Sequence, residues 1–195
     1  MKLNLFLPAF LFSFIIHSQD LKLPVDTIIT SSHTTKIKNM NVDYLASTGT
    51  QPVWNSKGKV IASLFYTYYK RTDVKNQNER PLVISFNGGP GSASVWMHIA
   101  YTGPKILKID NEGFPVQPYG VKDNPHSILD VADIVFVNPV NTGYSRMIAD
   151  SNGKMPDKSI FFGINADIKY LAGWINTFVS RNNRWESPKY IIGES

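Results

Sequence analysis

The stretch PLVISFNGGPGSAS, residues 81–94, joins an uninterrupted apolar run to a loop rich in glycine. An apolar run of this kind is typical of a β-strand that is buried on both faces of a parallel sheet. The glycines and proline that follow force an irregular turn whose backbone N–H groups can stay free to bind an anion. Their spacing matches neither nucleotide-binding glycine pattern, which argues against phosphate. The loop is therefore either a plain structural turn or a site that presents N–H donors.

Three further segments predict strands of the same sheet. Residues 58–71 are rich in aromatic and β-branched residues between turn signals, which predicts a long antiparallel strand. Two more apolar runs, in residues 130–140 and 187–195, predict buried strands. The polar, Ser/Thr-rich residues 20–40 are interpreted as a leader into the fold.

Residues 165–182 have apolar residues at helical spacing, and Asn165 or Asp167 lies near the predicted start of this helix. Strand, loop, strand, helix and strand in this order predict an α/β fold with a mixed, mostly parallel sheet and crossover helices. The predicted apolar face of the helix consists of Ile168, Leu171, Ala172, Ile175, Phe178 and Val179.

Composition and charge exclude several classes of protein. With 43% hydrophobic and 18% charged residues, the 195-residue chain reads as globular rather than disordered or fibrous. The net charge of +5 is scattered, and the densest basic segment, residues 70–80, also contains Asp73 and Glu79. That segment is interpreted as a solvated loop, so no nucleic-acid partner is predicted. His33, His98 and His126 have no metal-ligand spacing and are interpreted as structural or surface residues, with no metal or organic cofactor implied.

The first 19 residues have the outline of a secretory signal peptide, with one Lys, an apolar run from Leu3 to Ile16 and then small and polar residues. The apolar run is short for a membrane span, which needs about 20 residues. We therefore predict an exported protein, periplasmic or extracellular, with no membrane association after signal removal. Residues 20–195 are expected to form the N-terminal portion of one domain that continues beyond them. Because the chain contains no cysteine, no disulfide forms within these residues.

A second motif is GES, residues 193–195, which follows the third predicted strand. In α/β-hydrolases the nucleophilic serine lies in G-x-S-x-G, on a tight turn between a strand and a helix. A serine at this place can equally be the N-cap of a helix, and Glu194 can be a carboxylate that faces a helix dipole. The buried strand before the motif and the earlier glycine-rich loop favour the nucleophile.

Together these stretches resemble the serine carboxypeptidase family of the α/β-hydrolase fold. The loop Asn87–Gly91 with Ser94, the TGP of residues 102–104, the segment 130–146 and the approach to Ser195 occur in the family's order, and the resemblance covers about residues 50–195. It looks most like the bacterial, cysteine-poor branch. Asn138 stands where the family usually has Asp, Asn141 where it has Gly, and Ser92 where many relatives have Cys.

The resemblance implies a role for each matching residue. Ser195 is the expected nucleophile, and the N–H of Gly89 is expected in the oxyanion hole. Asn87, Gly88 and Glu194 are expected to bind the C-terminal carboxylate of a peptide substrate. The family pattern puts the catalytic Asp and His beyond residue 195, so the 195 residues are expected to be an N-terminal fragment that is inactive alone.

Two alternatives remain open from the sequence. Related enzymes on the same scaffold include acyltransferases and esterases, because one fold supports many activities. A non-catalytic exported homologue is the other alternative, and an absent downstream Asp and His would favour it.

Overall fold

The computed structural model of the protein describes residues 23–89 and 91–194. The predicted signal peptide and the predicted nucleophile Ser195 lie outside these residues. The strands are β1 Thr27–Ile37, β2 Met40–Trp54, β3 Val60–Arg71, β4 Leu82–Phe86, β5 Lys105–Leu107, β6 Val121–Asp123, β7 Asp133–Val137, β8 Arg146–Met147 and β9 Lys189–Gly193. The helix α1 spans Ile164–Arg181, a π-helical turn spans Met97–Thr102, and 3₁₀ turns span Ile128–Asp130 and Lys158–Ile160.

Seven strands form one mixed sheet in the order β1-β2-β3-β7-β4-β9, with β8 paired to β3. β4 is parallel to both of its neighbours, β7 and β9, whereas β1, β2, β3 and β7 pair successively antiparallel. β5 and β6 form a separate two-stranded sheet. The structure thus confirms an α/β fold with a mixed sheet, and β4 and β7 lie in its buried centre as their apolar runs predict.

The prediction of a leader over residues 20–40 is wrong. Residues 27–54 form the hairpin of β1 and β2, paired from Thr27 with Thr50 to Ile37 with Met40. Most of β1 is exposed, so its sequence of Thr and Ser has no alternating apolar face that would mark a strand.

Helix α1 begins after Gly163, and no side chain caps its first turn, although Asp167 lies within that turn. The predicted apolar face is only partly correct, because Ile168 is 63% exposed and Ala172 is exposed as well. Aromatic packing determines which face is buried: the rings of Trp174 and Phe178 stack at 5.3 Å and both pack edge-on against Tyr66 of β3. The buried residues of the helix are Tyr170, Trp174, Phe178 and Val179. Within residues 23–89 and 91–194, no helix is long and apolar enough to cross a membrane.

The third predicted strand exists as β9, but the prediction that it is buried is wrong. Tyr190 and Ile191 are 56% and 69% exposed. β9 is the last strand of the described sheet and pairs there with β4 alone, so its side chains gain few neighbours.

Buried charge lies at the opposite end of the central strands. Arg80 donates from Nε to Asp133 Oδ1 at 2.8 Å, and Arg184 donates from Nη1 to Asp133 Oδ2 at 2.5 Å. Asp133 and Arg184 are 0% and 1% exposed. The interpretation of residues 70–80 as a solvated loop is therefore wrong for Arg80, whose guanidinium is held by a buried carboxylate.

Candidate active site

Asn87 and Glu194 meet at the carboxyl ends of two adjacent parallel strands. The pairing of β4 with β9 brings Phe86 opposite Gly193, so the residue that follows each strand lies at the same edge of the sheet. Asn87 Nδ2 donates to Glu194 Oε2 at 3.0 Å. Asn87 is 7% exposed, whereas Glu194 is exposed to solvent. The chain continues from Glu194 to Ser195, the predicted nucleophile, which lies outside the described residues.

The amide of Asn87 is held in one orientation. Its Oδ1 accepts a hydrogen bond from the backbone N–H of Met97 at 3.0 Å, and its Nδ2 is the donor to Glu194. Because a side-chain amide has one acceptor and one donor end, the bond to Met97 fixes which end faces Glu194. Met97 is the first residue of the π-helical turn.

Gly88 and Gly89 follow Asn87 on the rim of the site, and Gly89 is exposed. Gly89 has φ of +149°, and a Cβ there would lie 2.7 Å from the N of Gly91 and 3.0 Å from that of Ser92. Only glycine fits this turn without strain. In the described part of the chain neither the Gly88 nor the Gly89 N–H makes a hydrogen bond, so both can act as donors.

Ser94 connects the loop that follows β4 with the loop that follows β7. The sequence predicted no role for it. Its buried hydroxyl donates to the carbonyl of Val137 at the end of β7 and accepts from the N–H of Asn87 at 3.3 Å. Its own N–H donates to Asn138 Oδ1 at 2.9 Å. The sequence signals were its position at the end of the glycine-rich stretch and its match to the loop of the serine carboxypeptidase family.

The three predicted structural or surface histidines lie apart from one another. His33 and His126 are exposed, while His98 lies in the π-helical turn and shares a hydrogen bond of 2.6 Å with the hydroxyl of Tyr69. Among residues 23–89 and 91–194 there is no group of three or more His, Cys, Asp or Glu side chains that could hold a metal ion. A cavity of about 630 Å³ between the end of β2 and α1 shares no lining residue with the candidate site.

Comparison with known families decides the family of this chain. The family model described as "Serine carboxypeptidase" matches residues 40–195. The chain belongs to the serine carboxypeptidase family.

Relatives of this serine carboxypeptidase chain come from plants and fungi. It is 32% identical over 135 residues to "Serine carboxypeptidase-like 36" of Arabidopsis thaliana, which covers 69% of the chain and 25% of the relative. It is 30% identical over 138 residues to a pheromone-processing carboxypeptidase of Arthroderma otae, covering 68% of the chain and 18% of the relative. The chain thus spans about a quarter or less of these two proteins.

Its fold is similar to the crystal structure of a prohormone-processing carboxypeptidase from Saccharomyces cerevisiae. The TM-score is 0.53 at 21% sequence identity, and the match covers 77% of this chain and 31% of that one. This comparison supports the α/β-hydrolase fold of the serine carboxypeptidase chain.

The two asparagines that depart from the family pattern have defined roles in this serine carboxypeptidase chain. Asn138 Oδ1 accepts the Ser94 N–H, and a Cβ on Gly143, where φ is +50°, would lie 2.3 Å from Asn138 Nδ2. Asn141 has φ of +61° and accepts from the N–H of Met147 at 3.3 Å. Asparagine tolerates this left-handed conformation better than most residues, which explains why it can replace glycine.

The bond between Asn138 and Ser94 gives a testable prediction. Asn138→Ala leaves the Ser94 N–H without its acceptor, which should lower the free energy of unfolding by about 1–3 kcal/mol. Asn138→Asp keeps an oxygen at this position and should stay within about 1 kcal/mol of the wild type. Denaturant unfolding of the complete protein carrying each variant measures this difference. Equal losses for Ala and Asp would contradict a specific role for the acceptor.

Proposed function

We propose that the complete protein is an exported serine-type carboxypeptidase, which removes C-terminal residues from peptides through an acyl-enzyme. The observation that carries this proposal is the contact between Asn87 and Glu194 beside the predicted nucleophile. A buried amide donor next to an exposed carboxyl group suits recognition of a free peptide C-terminus. Membership of the serine carboxypeptidase family supports the same activity.

In the proposed reaction, Ser195 Oγ attacks the carbonyl carbon of the last peptide bond. A histidine accepts the serine proton and passes it to the leaving amino acid, and an aspartate orients that histidine. Water then hydrolyses the acyl-enzyme by the reverse set of proton transfers. The free N–H of Gly89 is proposed as one donor to the oxyanion, and one such donor typically contributes about 3 kcal/mol to the transition state.

Asn87, Gly88 and Glu194, called here the terminal-carboxylate site, are proposed to hold the substrate's C-terminus. Asn87 Nδ2 can donate to a carboxylate oxygen, as it does to Glu194. A second carboxylate beside that of the substrate would repel it, so the site is proposed to bind the substrate C-terminus best when the carboxyl group of Glu194 donates a hydrogen bond to it. Substrate binding should therefore be tightest at acid pH.

Export and a place in a bacterial, cysteine-poor branch are part of the proposal. The apolar pattern of the first 19 residues supports export, and the absence of cysteine from all 195 residues supports a branch without disulfides. The relatives described above come from plants and fungi and do not support a bacterial branch.

The experiment compares a peptide with a free C-terminus and its C-terminal amide as substrates of the complete protein. We expect lower KM for the acid peptide, because the amide leaves polar groups of the site imperfectly paired at about 1–3 kcal/mol, roughly 5- to 150-fold. KM for the acid peptide should rise with pH, because a negative charge on the carboxyl group of the site repels the substrate carboxylate. Glu194→Gln carries a hydrogen-bond donor at every pH, so its KM should depend less on pH than that of the wild type. Relative to the wild type, the variant should lose less affinity for the acid peptide at neutral pH than at acid pH.

Glu186→Gln is the matched control, because Glu186 is an exposed glutamate that contacts Asn78 and not the site. It should reproduce the wild-type profile. If both peptides are cleaved with equal kcat/KM and Glu194→Gln changes no profile, the carboxypeptidase proposal is wrong. Hydrolysis without preference for the acid peptide would then indicate an esterase or acyltransferase, and no turnover would indicate a non-catalytic homologue.

A further inference from the structure

His98 packs on the face of the sheet against the adjacent strands β3 and β7, close to the candidate site but not in it. Its ring stacks on Phe136 of β7 with 4.6 Å between ring centroids and an interplanar angle of 23°. Its Nε2 shares the 2.6 Å hydrogen bond with Tyr69 Oη of β3. A tyrosine hydroxyl can donate or accept, so either neutral tautomer of the imidazole fits. The ring thereby anchors the π-helical turn to the sheet at two points.

The anchored turn carries the N–H group that orients Asn87. His98 directly follows Met97, whose N–H donates to Asn87 Oδ1 at 3.0 Å. The backbone of His98 is fixed as well, because its N–H donates to Ser94 O at 3.1 Å and its carbonyl accepts from Gly103 at 3.0 Å. π-Helical turns are frequent at functional sites. The ring and the backbone of His98 together hold the turn, so loss of the ring contacts should let the Met97 N–H shift relative to the Asn87 amide.

We propose that His98 is a positioning residue for the terminal-carboxylate site. Its neutral ring, held by Tyr69 and Phe136, keeps the Met97 N–H on Asn87 Oδ1, so that Asn87 Nδ2 faces Glu194 and the substrate carboxylate. The inference rests on the proposed carboxypeptidase function. In it, His98 does not contact the substrate but fixes the orientation of Asn87, which does.

The same arrangement sets an acid limit, the lowest pH at which the site still recognises the substrate C-terminus. Burial lowers the pKa of His98 to about 4. On the elements packed around the ring, the described titratable groups are Tyr69 and, behind it, Tyr44 of β2. Strand β5 packs against the π-helical turn and carries Lys105, which is paired with Asp123. No carboxylate in the described part of the chain forms an ion pair with His98. Below about pH 4 the imidazolium is thus unpaired, and the turn should lose its anchor.

The test measures kcat and KM for the acid and amide peptides with the complete protein and two His98 variants. His98→Ala removes the ring and should raise KM for the acid peptide about tenfold, with a smaller change for the amide and for kcat. His98→Gln keeps a polar group that can bond Tyr69 and should restore most of the acid preference. His126→Gln, at an exposed histidine, is the control and should behave as the wild type.

The pH profile separates positioning from a simple loss of stability. In the wild type, KM for the acid peptide should rise again below about pH 4, and His98→Gln should lack this rise because its amide does not titrate. Substrate protonation affects both proteins equally, so their difference reports His98. Because the pKa of His98 is about 4 in the folded state and about 6.5 in the unfolded chain, the unfolded state binds more protons between these values. Folding stability should therefore also decrease as the pH is lowered through this range. Thermal unfolding defines the pH range in which each variant stays folded.

Tyr69→Phe is the second variant if His98→Ala does not fold, because it removes only the hydroxyl that meets Nε2. It should raise KM for the acid peptide in the same direction by a smaller factor. Unchanged acid preference in folded His98→Ala or Tyr69→Phe, or an acid limit that persists in His98→Gln, would overturn the proposal. A wild type without acid preference would instead overturn the proposed carboxypeptidase function.

Discussion

Replacing Ser195 by Ala in the complete protein should lower kcat by a factor on the order of 10⁶, the loss seen when a triad serine is removed. KM should change little, because the groups proposed to bind the substrate carboxylate remain. The expectation follows from the pairing of β9 with β4, which brings Glu194 within 3.0 Å of Asn87. Ser195 directly follows Glu194 in the chain, and the Gly89 N–H, two residues after Asn87, makes no hydrogen bond within the described residues.

The measurement is steady-state release of C-terminal amino acids, together with detection of a covalent acyl-enzyme by mass spectrometry. Ser151→Ala, at an exposed turn serine, is the control and should retain full activity. Residual activity of a tenth or more in Ser195→Ala would show that another group performs the attack, and the assignment of the nucleophile would be wrong.

The central strands and the long helix could be predicted because burial leaves a clear mark on their residues. β4 and β7 are apolar on both faces, and the glycine-rich loop after β4 needs glycine at position 89 for steric reasons. β1 could not be predicted, since a strand with both faces mostly exposed carries no periodic signal. The face of α1 was misjudged because large aromatic rings, rather than Ile168, fill the space above the sheet.

The contacts of the candidate site depend on partners far apart in the chain. Asn87 and Glu194 are 107 positions apart, and Ser94 and Asn138 are 44 apart. Spacing alone does not reveal such pairs, and the resemblance to a family pointed to Asn87 and Glu194 but gave no role to Ser94 or His98. The buried position of Arg80 was missed for the same reason, because its partner Asp133 lies 53 positions away, in β7.

The second large effect should come from Asp133, which lies at the start of β7 with no exposed surface. Its Oδ1 accepts from Arg80 Nε at 2.8 Å and from the Arg71 N–H at 2.9 Å. Its Oδ2 accepts from Arg184 Nη1 and from Gln77 Nε2. Arg184 also donates to the carbonyl of Arg80 at 2.7 Å. This cluster joins the starts of β4 and β7 to the loop that leads into β9.

Asp133→Ala should lower the free energy of unfolding by about 3–5 kcal/mol, because it leaves two guanidinium groups buried without their counter-ion. Asp26→Ala is the matched control: Asp26 also binds an arginine through both oxygens, but this pair is exposed, and its loss should cost about 1 kcal/mol or less. Denaturant unfolding of the complete protein measures both.

Adding Arg184→Met to Asp133→Ala should recover part of the lost stability, because an apolar side chain of similar length removes one of the unpaired buried charges. The recovery should be incomplete, since Arg80 remains beside the vacated position with only 9% of its side chain exposed.

The cluster also aligns β9 with β4, so Asp133→Ala should weaken the register that brings Glu194 to Asn87. We therefore expect a higher KM for the acid peptide even at temperatures where the variant is folded. An Asp133→Ala variant that unfolds like Asp26→Ala would show that the carboxylate does not compensate these charges.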